Sequence, residues 1–484
     1  MSMKRLIQDV GFYGLLDIMQ RSVGVILVPV YTRVLSQGDY GNLDLILTVM
    51  SVLLVIVDLQ LIPGFSRFYL EQRKAGTGER FAGTCITARL VLGTIIAVVF
   101  LLMGFCGQIE FSFLPSFLSN KISWIITAAI VPVSLTYDIL LLQTRMLRWK
   151  KWFTIGALAN CLLSCLFCLF FTVCLEWGIV GVVTGQLLGR AISTGLLMAG
   201  LKGEISLLFH KGTFSEMLRY TLPLVPGWWI AFSSAYMSRF FIYGVHGANQ
   251  SAILAICLKL VNVIALFSIS FRMAWQPLAM SYIGNDNGEA FYVRSMRLFM
   301  AGGIVSICCL TLLSGPLLVV LAPDSYRSAA SYFPYFAVGT IIGEWENNLQ
   351  LGNQISKKTY WISISSVFYF AINLIFLTFL TERYGIFAAA LGLLVSSIAR
   401  AAVTYFSSQK NNFIGYDNKS MALFCLGCGV LIFLTMAKDS ELINASTYLS
   451  TIALIGCVLP WFIIAHSERQ FIKKRILSFV QTSS

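Results

Sequence analysis

Charge is scarce in this chain. Only 12% of its 484 residues are Asp, Glu, Lys or Arg, about half the ~25% usual in a soluble domain. A soluble fold of this length needs charged outer faces on its helices, and long stretches here have none, so a water-soluble globular protein is excluded. Histidine is scarcer still. His210, His246 and His466 lie far apart, and no Cys/His cluster has zinc spacing, so no metal site is expected. The twelve cysteines form no disulfide framework. Most lie in apolar runs, as Cys161, Cys165, Cys168 and Cys174 do, where a thiol behaves as a small, soft hydrophobe. There is no nucleophile–base constellation, so neither an enzymatic reaction nor a cofactor is expected. No segment between apolar runs is long enough for a folded domain. The 35 basic residues outnumber 22 acidic ones. In a soluble protein that balance would suggest nucleic acid; in a bilayer it reports basic inner loops, and no nucleic-acid partner is expected.

Apolar residues are abundant instead: 57% of the chain, with mean hydropathy +0.78. A spanning helix needs roughly 20 mainly apolar residues. Fourteen segments qualify, near 10–33, 42–66, 82–106, 122–146, 152–175, 178–200, 217–242, 250–273, 295–321, 331–353, 359–380, 385–408, 420–437 and 447–466. The first follows Lys4 and Arg5, carries Asp17 and Arg21 and lacks a small-residue cleavage site, so it is predicted to span the membrane, not to be a signal peptide. With the N-terminus inside, the inner loops hold twenty Lys and Arg, the outer loops only Lys121, Arg327, Arg383 and Lys438. A miscounted span would invert every later loop and blur that ratio. The predicted class is all-α, a polytopic membrane protein with fourteen transmembrane helices and both termini cytoplasmic.

The chain also repeats itself. Gly178-Ile179 recurs as Gly385-Ile386, an offset of 207; at that offset Gly181, Gly185 and Gly189 match Ala388, Gly392 and Ser396. Lys150-Lys151 matches Lys357-Lys358 likewise, and Arg33 sits opposite Arg239 at 206. Small residues four apart let helix backbones approach closely in lipid. Two six-helix lobes follow, 1–205 and 213–411, then two C-terminal helices within 418–468 and a basic cytoplasmic tail, 469–484. Six is even, so the lobes are parallel repeats, an architecture in which transporters hold substrate between halves that rock.

A few ionisable groups fall inside the spans. The cations are Arg21, Arg89, Arg190, Lys259 and Arg400, with Arg239 and Arg272 nearer helix ends; the acids are Asp17, Asp58, Asp138, Glu344 and Glu346. Each charge at mid-bilayer costs about 2.5–3.5 kcal/mol on insertion scales. Either the cations line a wet cavity between the lobes, implying an anionic substrate, or they sit in scattered local pairs. Asp17 and Arg21, four apart, have ion-pair spacing. Pro223 and Pro226 offer a hinge in the seventh span; Trp228 and Trp229 after them either line the cavity or pack.

Val28-Pro29-Val30-Tyr31-Thr32-Arg33-Val34-Leu35-Ser36, then Asp39-Tyr40-Gly41, resembles the helix 1–2 signature of bacterial polysaccharide flippases of the Wzx type. Arg67-Phe68-Tyr69-Leu70-Glu71 and Lys357-Lys358-Thr359 resemble the same family. It belongs to the multidrug/oligosaccharidyl-lipid/polysaccharide exporter superfamily. The resemblance implies two six-helix lobes around a cationic cleft. It implies translocation of undecaprenyl-diphosphate-linked oligosaccharide across the bacterial inner membrane, for O-antigen, capsule or exopolysaccharide synthesis, beside membrane lipids, a polysaccharide polymerase and a chain-length regulator. The expected diphosphate ligands are Arg21, Arg190, Lys259 and Arg400, then Arg89, Arg239 and Arg272, with Asp17 the candidate for coupling to H⁺ or Na⁺. The acidic pair Glu344 and Glu346 departs from a uniformly basic cavity. The competing readings are a cation-coupled drug exporter, a peptidoglycan lipid-precursor flippase, and a membrane glycosyltransferase, polymerase or ligase. The last would be expected to show a large outer loop with catalytic residues, which this chain does not have.

Overall fold

The computed structural model describes residues 26–105, 121–206, 209–285, 287–356, 358 and 360–465, together with residues 16, 19, 20, 24 and 469. Among the described residues every regular element is helical, as the scarcity of charge and the long apolar runs require. Eleven helical stretches are long and apolar enough to cross a membrane. One of them, Lys211–Ser281, is 71 residues long and takes in two of the expected spans. The expected first span, with Asp17 and Arg21, lies mostly outside the described residues. The chain is a multi-span membrane protein, and it divides into two compact units at Ala255 and Ile256.

The first unit holds α1 (Val28–Val34), α2 (Gln37–Asp58), α3 (Leu61–Lys74), α4 (Gly78–Phe105), α5 (Lys121–Met146), α6 (Lys150–Leu169), α7 (Gly178–Gly200), α8 (Lys211–Thr221) and the start of α9 (Val225–Ser281). Ser36 caps α2, its hydroxyl accepting from the Asp39 N–H at 3.1 Å and donating to Asp39 Oδ2 at 2.6 Å, which satisfies an otherwise unpaired donor. The expected span 42–66 is interrupted: Leu59 and Gln60 are both left-handed, with φ 45° and 56°, so α2 stops at Asp58 and α3 starts afresh. The glycine stripe of α7 lies against α6. A Cβ on Gly185 would stand 2.4 Å from the Cys168 backbone nitrogen, and one on Gly189 2.5 Å from that of Ser164. Phe65, Tyr69, Phe81, Tyr137, Leu140 and Leu197 belong to one buried hydrophobic cluster. The run Val225–Ser281 breaks at Gly247, where φ is 75° and ψ −174°.

The second unit holds the rest of α9, then α10 (Gly288–Leu321), α11 (Ala329–Leu349), α12 (Leu351–Ile355), α13 (Tyr360–Tyr384), α14 (Ile386–Asn411), α15 (Asn418–Asp439) and α16 (Ala445–Ile463). Gly385, just before α14, has φ 53°, and Gly178, the first residue of α7, has φ 55°; the glycines matched at offset 207 both take a positive φ at the start of a helix. Gly339 of α11 packs on Leu394 of α14, where a Cβ would stand 3.1 Å from the Leu394 Cα.

Asp417 caps α15 outside the spanning segment. Burial opposes its charge, but hydrogen bonds from the Ser420 hydroxyl and Ser420 backbone, the Arg297 guanidinium and the Lys419 N–H together hold its carboxyl below the usual range. A depressed carboxylate contributes stability above its unfolded pKa, near ~3.9, and loses it as pH falls through the folded value. Asp417→Ala should cost about 0.5–2 kcal/mol at pH 7, and the difference from the native protein should shrink below about pH 4. Thermal unfolding in detergent at both pH values measures it; a pH-independent difference would remove the carboxylate's charge from the explanation.

Candidate functional site

Six of the expected cations can be placed. On α4, Arg89 is 2% exposed and its Nη1 lies 2.9 Å from Oδ1 of Asp58, at the end of α2. Asp138 on α5 is close enough to act on Asp58 electrostatically. On α9, the Arg239 Nε donates to Asp44 Oδ2 of α2 at 2.8 Å, the two side chains 12% and 8% exposed. In the second unit, Arg272 of α9 meets Glu344 at 3.3 Å. Arg400 of α14 meets the fully buried Glu346 at 3.1 Å and lies over the Tyr369 ring. Glu346 also accepts from Thr404 Oγ1 at 2.6 Å and from Gln350 Nε2 at 2.9 Å. Lys259 is half-buried on α9.

Four of the arginines thus stand in local ion pairs, the second of the two arrangements open to them. Pairing offsets the cost of placing charge in the bilayer. It also explains the acidic residues of α11: Glu344 and Glu346 each neutralise one arginine. Asp44 is the participant that sequence reasoning missed. The one signal for it was an acid just inside the start of an expected span.

Arg190 differs. It projects from α7, donates from Nη1 to Ser134 Oγ on α5 at 3.0 Å, and lies over the Tyr137 ring with Cζ 5.0 Å from its centroid. Both partners are neutral, and among the described residues Arg190 makes no ion pair. A hydroxyl and a ring face orient a guanidinium but neither carries a charge to compensate it. The positioning follows from the sequence. The stripe Gly181, Gly185 and Gly189 holds one face of α7 against α6, and Arg190 follows the stripe.

Trp229, after the paired prolines, donates its indole N–H to the Val55 carbonyl of α2 at 3.3 Å. In the second unit an apolar cavity of about 380 Å³ opens among α11, α14 and α15, lined by Ile342, Trp345, Leu394, Tyr405 and Phe424 among others. Among the described residues no three His, Cys, Asp or Glu are grouped to hold a metal ion.

In a sequence comparison, no curated protein matches the chain. Solved structures match its fold. The lipid II flippase MurJ in an inward closed conformation aligns with TM-score 0.70 at 14% identity, covering 96% of this chain and 100% of that one. The MATE transporter VcmN of Vibrio cholerae aligns with TM-score 0.59 at 16% identity over 84% of this chain and 96% of its own. A MOP superfamily transporter from Pyrococcus furiosus, described as having a binding pocket of reverse polarity, aligns with TM-score 0.58 at 13% identity over 83% and 95%. At these identities the likeness is one of fold, shared with flippases and transporters. The sequence itself goes further: residues 6–282 match the polysaccharide biosynthesis protein family model, more than half of the chain, and the chain belongs to that family.

Proposed function

We propose that this chain is a flippase that moves an undecaprenyl-diphosphate-linked oligosaccharide from the inner to the outer leaflet of a bacterial cytoplasmic membrane by alternating access. The observation that carries the proposal is Arg190, a cation within a membrane helix held by Ser134 and Tyr137 and, among the described residues, in no ion pair. A guanidinium fixed by neutral partners suits a diphosphate, which accepts charge-assisted hydrogen bonds at the fork. A drug exporter for cations would need the opposite sign. The apolar cavity among α11, α14 and α15 supports a substrate with a hydrocarbon chain. Family membership supports polysaccharide synthesis as the setting. In this reading both termini are cytoplasmic, and transport is driven by H⁺, Na⁺ or the membrane potential.

Hydrogen bonds to charged groups contribute about 1.5–3 kcal/mol, so Arg190→Gln should weaken substrate engagement by roughly ten- to a hundredfold. Arg190→Lys keeps the charge, loses the fork, and should fall between. The test is surface polysaccharide in cells whose own copy of this chain has been deleted. The native chain should restore it, and Arg190→Gln, inserted at the same level, should not. Full polysaccharide from Arg190→Gln, or from the deleted strain itself, would overturn the proposal.

A further inference from the structure

Helix α2 and the first stretch of α9 run against each other, with contacts at three levels. Trp229 donates to the Val55 carbonyl. Arg239 pairs with Asp44, and the Tyr243 hydroxyl donates to Asn42 Oδ1 at 2.8 Å. At the far end Gly41 meets Ala248 and Gly38 meets Asn249: a Cβ on Gly41 would stand 1.9 Å from the Ala248 carbonyl oxygen, and one on Gly38 3.2 Å from Asn249 Oδ1. The pairing order is antiparallel, 55 with 229 and 38 with 249. The loop charges put residues 37–44 and 239–249 at the outer face. The sequence repeat puts α2 and α9 in different lobes.

Two further features give this seam a moving part. At its inner end α9 does not run straight on from α8. A 3₁₀ turn, Leu222–Leu224, separates them, with Pro223 inside it and Pro226 just beyond. Such a turn within a membrane helix is a common hinge, and each proline removes a backbone hydrogen bond that would stiffen it. At the outer end the fastening is reversible. A nearly dry ion pair is strong while shut, because the local dielectric is low, and both of its charges are rehydrated once the seam parts to outer water. Gly41, with no side chain, lets the backbones close tightly.

We propose that the ends of α2 and α9 meeting at Gly38–Asp44 and Arg239–Asn249 form an outer gate, latched by Asp44 and Arg239, which opens as α9 swings on the Leu222–Pro226 break. The gate rests on the transport reading above. It takes Arg239 out of the substrate site, its charge being spent on Asp44 and not on an anion.

The test is a reversible lock. Gly38→Cys with Asn249→Cys places two thiols across the closed gate. Oxidation should cross-link them in high yield and abolish surface polysaccharide, and a reducing agent should restore it; the unsubstituted chain under the same oxidant is the control for the native cysteines. Asp44→Asn or Arg239→Gln should lower the cross-linking yield, and the exchange Asp44→Arg with Arg239→Asp should recover it. A cross-linked protein that still supports polysaccharide would show the seam to be a static brace and overturn the gate. So would a yield indifferent to the pair. The cross-linking yield does not depend on the substrate, so it decides the latch even if the native chain restores no polysaccharide, the outcome that would defeat the transport reading instead.

Discussion

Glu346→Ala is expected to destabilise the protein by about 3–5 kcal/mol, the cost of breaking a buried pair by removing one partner. Glu346 is fully buried and accepts from three side chains, Arg400, Thr404 and Gln350. Its loss strands a guanidinium that is only 21% exposed, together with two neutral donors. Each stranded buried donor adds about 1–3 kcal/mol. Glu346→Gln keeps the shape and one acceptor oxygen and should cost less. Adding Arg400→Ala to Glu346→Ala should recover part of the loss, because the uncompensated charge goes with it. The exposed Arg67–Glu71 pair on α3 is the contrast: Glu71→Ala removes a solvated surface contact and should leave stability unchanged within error. Thermal unfolding of detergent-purified variants measures all four. If Glu346→Ala unfolds like the native protein, the Glu346 network is not a structural keystone of the second unit.

The fold class was legible because a membrane imposes it. Twenty apolar residues in a row have few other uses, and the glycines at 178 and 385 could be matched by offset before either helix start was seen. The charges inside the spans were legible as charges and not as partners. Asp44 and Arg239 are 195 positions apart and Glu346 and Arg400 lie on different helices; periodicity shows which face of a helix a residue occupies, not which helix lies opposite. The left-handed pair Leu59 and Gln60 carries neither glycine nor proline; the residue types that punctuate the break are Pro63 and Gly64, in the first turn of α3, and they do not fix where α2 ends. Pro223 and Pro226, by contrast, marked the α8–α9 break correctly, because the missing hydrogen-bond donor is written in the residue type. What sets Arg190 apart is that its partners, Ser134 and Tyr137, are neutral, which only the packing of α5 against α7 reveals.

Gly185→Leu is expected to prevent the first unit from folding, with loss of monodisperse protein. At most positions an added side chain can rotate away. Here the Cβ itself has no room: its nearest neighbours would be the Cys168 backbone N and Cα at 2.4 and 2.7 Å, so even alanine must part α6 from α7. Parting them undoes the approach at Gly181 and Gly189 as well, since both also face the backbone of the residues before α7. In lipid no hydrophobic effect drives the helices together, and close backbone packing is most of what holds them. The cost should therefore exceed the ~1–3 kcal/mol usual for overpacking. Gly195, on the same helix, has open space on all sides of the point where a Cβ would stand, with nothing within 4 Å. Gly195→Leu should therefore be tolerated and should even gain up to about 1 kcal/mol of helix propensity. Gly392, the counterpart of Gly185 in the second unit, meets the side-chain atoms Asn373 Oδ1 and Phe376 Cβ at 2.9 and 3.0 Å. The Asn373 amide can swing aside, and although Phe376 Cβ is fixed to its backbone, an approach of 3.0 Å needs a smaller shift than the 2.4 Å approach at Gly185, so Gly392→Ala should cost less than Gly185→Ala. Equal losses at 185 and 392 would mean that the two hairpins, alike in sequence pattern, are also alike in how tightly their backbones close.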